Sequence, residues 1–286
     1  MALTVERRRA LGIRLVVAPL LLCAVGLIYW IDTSHGGDGR WSAALLGLLG
    51  LAGVGEYRAM TRGAGLPVAG LPLLVAAALL HLAPFRDAPL LGHRLVAPMV
   101  LLLALCFATA VHSFGRQRTE QGPERLGGTL LGFVLVSIPL YLGQTLALQS
   151  PQAVLYVVLC SKGGDIGGYL AGTALGRHKL CPQVSPGKSV EGAVGSAAVS
   201  CLLAVLLAEP LIPLETAMVA GWQLAILGLL LNVATQCGDL VESLLKRRCG
   251  IKDSSRLLPE HGGVLDLVDS LLFSVPLFYF VFQSLP

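Results

Sequence analysis

The sequence predicts an all-α, polytopic integral membrane protein with about nine transmembrane helices and a cytoplasmic N-terminus. Three observations predict it. Of the 286 residues, 55% are hydrophobic and 13% charged, which is about half the charged share of a soluble domain, and the mean hydropathy is +0.74. Apolar runs of about 20 residues, the length that crosses a bilayer core, recur along the whole chain. The breaks between these runs are alternately rich in Lys and Arg and nearly free of them.

The first span, 13–31, follows Glu6-Arg7-Arg8-Arg9 in the manner of a secretory signal. No small-residue cleavage site comes before Trp30-Ile31-Asp32, so it is expected to be retained. Spans 41–57, 66–84 and 95–112 are nearly featureless Leu, Ala, Val and Gly, apart from Glu56 and His81 near span ends. Spans 127–148 and 152–176 share one long uncharged stretch, broken at Ser150-Pro151 because proline lacks the helix donor and clashes with the preceding turn. Spans 192–208, 216–238 and 264–283 complete the set. With the N-terminus inside, 17 of the 21 Lys and Arg face the cytoplasm; Arg40, Arg86 and Arg94 lie outside and Lys162 within a span. The chain reads as one membrane domain, with scaffold helices over 1–150 and a catalytic region over 151–286 that carries polar cytoplasmic loops at 177–191 and 239–263.

The net charge of +4 comes without a basic patch interleaved with aromatics, so no nucleic-acid partner is expected. The seven cysteines form no C-x-x-C pair and mostly fall in apolar runs, as packing residues do.

Three stretches could carry chemistry. In Lys162-Gly163-Gly164-Asp165-Ile166-Gly167-Gly168-Tyr169 two ionisable groups sit inside a span, where charge is expensive and usually functional. Mutual neutralisation of Lys162 and Asp165, three apart on a helix, is the plainer alternative. The glycines at 163/167, 164/168, 168/172 and 172/176 suit close helix packing. Next, Ser185-Pro186-Gly187-Lys188-Ser189-Val190-Glu191-Gly192 precedes a helix start and suits an anion, or else caps the helix through Ser185 or Ser189. Third, Asp239, Glu242, Ser243 and Lys246 share one helix face, and Asp266 and Asp269 lie three apart at the start of the last span, after a basic loop and His261-Gly262-Gly263. Carboxylates from two helices at one depth suit divalent cations beside a polyphosphate; a salt-bridged helical hairpin is the alternative.

The stretch from Ser243 through Lys246-Arg247, Lys252-Asp253, Pro259, His261-Gly262-Gly263, Asp266 and Asp269-Ser270 resembles the signature of phosphatidate cytidylyltransferases, the CDP-diacylglycerol synthases. Asp165-Ile166-Gly167-Gly168-Tyr169, Gly172, Gly176-Arg177, Ser185-Pro186 and Glu191-Gly192 are similar to that family's preceding segment, in the same order. The resemblance covers roughly 150–286. It departs at Leu267, where the family usually has arginine, and at Gly187, Ser189 and Val190, in place of its usual lysine, threonine and tryptophan.

The resemblance implies that CTP and phosphatidic acid are converted to CDP-diacylglycerol and pyrophosphate by a homodimer in a bacterial-type inner membrane, with the site facing the cytosol. Asp239, Lys252, Asp253 and Asp266 are the catalytic residues it implies. Asp239, Asp266, Asp269 and Asp165 would hold Mg²⁺, with a second cation left open, and Ser185, Lys188, Glu191, Ser243, Lys246, Arg247, His261, Gly262 and Gly263 would bind substrate. Two other activities fit a polar cytoplasmic face: a CTP-dependent polyprenol or phytol kinase, and a cation-coupled transporter using Lys162 and Asp165. A transporter is expected to show internal repeats with paired broken helices, and none is visible in the sequence.

Overall fold

The computed structural model describes residues 23–34, 38–85, 95–115, 119–212, 219–257 and 262–284. Residues 13–22 of the first expected span, and His261, lie outside the described residues. We number the helices α1 (23–34), α2 (Arg40–Gly63), α3 (Gly70–Leu82), α4 (Val96–Gly115), α5 (Gly122–Ala147, with a π-helical stretch at Phe133–Ser137), α6 (Pro151–Leu175), α7 (Val190–Leu211), α8 (Gly221–Arg248), α9 (Val264–Val268) and α10 (Leu271–Ser284). Four of the described helices, α4, α5, α7 and α8, are long and apolar enough to cross a membrane; α10 and the segment Gly70–Phe85 are shorter apolar helices.

Local chemistry fixes the helix starts. The Ser150 hydroxyl accepts the Ala153 N–H at 3.2 Å and Pro151 occupies the first helical turn, so the long uncharged stretch breaks at the expected dipeptide. Ser189 caps α7 in the same way, accepting the Gly192 N–H at 3.1 Å. Helix α8 continues past the expected span end at 238 to Arg248, so that Asp239, Glu242, Ser243 and Lys246 lie on one helix as their spacing predicts, and Lys246, Arg247 and Arg248 in its last turn complement the helix dipole.

Two features depart from the expected pattern. The polar loop 177–191 contains an antiparallel ribbon, β1 (Lys179–Cys181) and β2 (Ser185–Ser189), with Lys179 opposite Ser189 and Cys181 opposite Ser185. The expected single span at 264–283 is two helices, separated by a turn at Asp269 and Ser270.

Helices α6, α7 and α8 pack side by side, and α6 and α7 run antiparallel through the glycine ladder. Gly163 faces Leu203, Gly167 faces Val199, and Gly172 faces Gly192 and Ser189. The ladder therefore closes an interface within the chain. Helices α2, α3, α4 and α5 form a second group around Tyr57, Phe133, Leu73 and Leu80, and α10 packs against α5, α6 and α8 to join the two.

Candidate active site

The polar residues of α6, β2, α8 and the stretches 252–257 and 262–270 converge. Asp239 is on the same helical face as Glu242, Ser243 and Lys246, one to two turns apart. Beside it, Gly238 packs so tightly on the Asp269 backbone that a Cβ there would collide with the carbonyl oxygen. That contact brings Asp239 and Asp269 together. Lys162 reaches down from α6 to both Asp165 and Asp269, at 3.7 Å each, and Lys188 from β2 pairs with Asp239 at 2.6 Å. The Ser243 hydroxyl also donates to Asp239, at 3.3 Å. Lys162, Lys188, Asp165 and Asp239 all keep solvent access, with side-chain exposures of 26, 24, 42 and 31%.

Lys246 heads a deeper group. It pairs with Glu242, which is 1% exposed, and with Asp266 Oδ1 at 2.5 Å. The other oxygen of Asp266 accepts the Ser254 N–H at 2.7 Å, the Ser254 hydroxyl at 2.6 Å and the Gly263 N–H at 2.8 Å. Gly262 adopts φ +84°, and a Cβ there would approach Asp266 Oδ2 to 2.5 Å, so the turn into α9 requires glycine. Ser254 and Gly263 also meet Glu56, a side chain of α2 far away in sequence that no local motif marks.

The other expected site residues line the rim. Glu191 accepts the Arg177 N–H at 3.0 Å and lies 2.6 Å from the His178 ring, which ties the end of α6 to the start of α7. Arg247 donates to the Val184 carbonyl at 3.3 Å and the Ile251 carbonyl at 3.0 Å, linking the ribbon to the loop after α8. Ser185 is half-buried in β2, while Lys252 and Asp253 are exposed.

Among the described residues no three His, Cys, Asp or Glu side chains converge tightly enough to cage a metal. Mg²⁺ does not require such a cage. It keeps several waters and usually takes one or two carboxylates plus substrate phosphates. Asp269 and Asp165 fit that donor set, since each meets Lys162 loosely and through one oxygen only, and Asp239, whose oxygens meet Lys188 and more weakly Ser243, would join them by giving up one of those contacts. Asp266 would have to release a protein donor to join them.

Residues 12–285 match the model of the cytidylyltransferase family. A phosphatidate cytidylyltransferase of Pseudomonas aeruginosa is 38% identical over 205 residues, which is 70% of this chain and 71% of that protein. One from Haemophilus influenzae is 44% identical over 134 residues, 45% of each chain. An uncharacterized Escherichia coli protein, YnbB, is 43% identical over 128 residues, 44% of this chain and 41% of that one.

Proposed function

This chain belongs to the cytidylyltransferase family, and from that premise we propose that it transfers the cytidylyl group of CTP to phosphatidate, releasing pyrophosphate. One observation carries the reading: three lysines from separate elements, Lys162, Lys188 and Lys246, each pair with an aspartate of one connected site. An oxygen of the phosphatidate monoester attacks the α-phosphorus. A new P–O bond forms, and the bond to the β-phosphate oxygen breaks as pyrophosphate leaves with the electron pair. The attacking oxygen is already anionic, so no general base is needed. The obstacle is repulsion between two phosphorylated reactants, and positioning with charge neutralisation is the remedy.

Asp239 and Asp269, with Asp165 beside them, would hold Mg²⁺. When bound, the ion supplies positive charge to the triphosphate and its leaving group. Lys188 and Lys162 turn from their aspartates to phosphate oxygens, and Lys252 and Arg247 serve the same anions from the rim. Lys246 and Asp266 hold the loop that carries Lys252 and Asp253. Ser185 and Glu191 shape the nucleotide end, and Ser243 steadies Asp239.

About nine spans with a cytoplasmic N-terminus fit the basic-residue asymmetry and put this site at the inner face of a bacterial cytoplasmic membrane. There CTP arrives from the cytosol while the acyl chains stay in lipid. The working form is a homodimer.

The test is purified protein with labelled CTP and phosphatidate, omitting CTP, lipid or Mg²⁺ in turn. CDP-diacylglycerol and pyrophosphate should appear only in the complete mixture. Release of CDP would identify a kinase instead, and ion-driven uptake into liposomes without nucleotide would identify a transporter.

A further inference from the structure

The geometry points to Glu56, on the second helix of the N-terminal half, as the positioning residue that sets the catalytic loop. Its carboxylate is engaged on both oxygens by the opposite end of the sequence. Oε1 accepts the Ser255 hydroxyl at 2.7 Å and the Val264 N–H at 2.9 Å. Oε2 accepts the Ser254 hydroxyl at 2.9 Å and the Leu265 N–H at 2.8 Å. Val264 and Leu265 open α9, whose first N–H groups have no partner within the helix. Glu56 therefore supplies the cap that Gly263, having no side chain, lacks.

The same four bonds fix both ends of the segment that bears Lys252, Asp253 and Asp266. Ser254 donates its hydroxyl to Glu56 and to Asp266, so the two carboxylates share one donor. Gly263 sits against both, and a Cβ there would collide with the Glu56 carboxylate and the Ser254 hydroxyl. A side chain at 263 would thus push Glu56 off its ligands. Outer-shell partners that orient the groups of a site typically cost about 10–100-fold in affinity or activity when they are lost.

This inference rests on the proposed cytidylyl transfer, and its test separates the two. Wild type, Glu56→Gln, Glu56→Asp and Gln144→Ala would be assayed for CDP-diacylglycerol formation at saturating CTP and phosphatidate, with thermal melting of each in detergent. Gln144→Ala, which breaks a buried polar contact remote from the loop, is the control for general destabilisation. Glu56→Gln keeps the shape but turns an NH₂ towards N–H and O–H donors, so kcat should fall about tenfold or more, in the range seen for lost outer-shell partners. Glu56→Asp should recover part of that loss. Gln144→Ala should melt earlier yet keep the kcat of its folded fraction.

Hydrogen exchange supplies the second readout. In Glu56→Gln the amides of Ser254, Val264 and Leu265 should lose protection while those of α5 keep theirs. Turnover of Glu56→Gln within twofold of wild type, or a loss matched by Gln144→Ala at equal melting temperature, would overturn the assignment. Were wild type itself to make no CDP-diacylglycerol, the cytidylyl-transfer reading would fail, and unchanged exchange in Glu56→Gln would then remove Glu56 as the anchor independently.

Discussion

Each half of the molecule buries a polar cluster, and the two are built differently. In the first half, Gln144, fully buried, donates to the Ala43 carbonyl at 3.0 Å and the His81 carbonyl at 3.2 Å, and its oxygen lies 2.6 Å from the His81 ring. Gly47 and Gly50 leave the room these two side chains need. The groups there are an amide, an imidazole and backbone carbonyls, and their contacts join α2, α3 and α5. In the second half the groups are lysines and aspartates, several of them a quarter or more exposed, paired across three elements. Exposed ion pairs add little stability. Such pairs are costly near a bilayer unless they do something else, and in the proposed cytidylyl transfer that something is the binding of phosphates.

Breaking the deepest charge pair should have the largest effect. Lys246→Met strips the counter-charge from Glu242 and Asp266, so we expect a loss of about 3–5 kcal/mol in stability, as for other broken buried pairs, together with abolished turnover. Thermal unfolding in detergent and CDP-diacylglycerol formation measure the two. Asp239→Asn should act on rate alone. Its partner pair is partly exposed, so melting should hold steady while turnover drops about 100-fold, the scale of a lost electrostatic contact to developing charge.

The first-half cluster should respond the other way round. Gly50→Ala drives a methyl into the His81 ring, and overpacking of this kind costs about 1–3 kcal/mol; a lower melting temperature with kcat within twofold is the expected result. The smallest effect should come from Glu191→Gln, which loosens the α6–α7 connection at the rim. There KM for CTP should rise by a few-fold, about the worth of one ordinary hydrogen bond at roughly 1 kcal/mol, with kcat unchanged. Equal losses of rate from Gly50→Ala and Asp239→Asn would erase the contrast between the halves.

Long apolar runs made the helices legible, because about 20 residues are needed to cross lipid and few other segments look like that. The Ser150-Pro151 break was legible for a local reason, since a cap and a proline act within one turn. The ribbon at 179–189 was not. Its strands are three and five residues long, contain Pro186 and Gly187, and show no alternation. The break at Asp269-Ser270 was hidden by the apolar residues on both sides.

Within the site, sequence spacing grouped Asp239 with Lys246 and Asp266 with Asp269, since each pair shares a helix or a turn. Spacing could not reveal that Lys188 faces Asp239 or that Lys162 reaches Asp269, because those partners come from different elements. Glu56 is the extreme case. Its ligands lie some 200 residues away, and in its own neighbourhood it reads as a stray acid at the end of an apolar run. The sharp division into scaffold and working halves softens accordingly, because a helix of the first half holds the loop of the second.

In the proposed reaction Asp239 and Asp269 share the ion that quiets repulsion between the two phosphorylated substrates. CDP-diacylglycerol formation against Mg²⁺ concentration for wild type, Asp239→Asn and Asp269→Asn tests that shared ion. Half-saturating Mg²⁺ should rise about tenfold or more in both variants, as for weakened metal sites elsewhere. Two variants that titrate with Mg²⁺ as wild type does would contradict it.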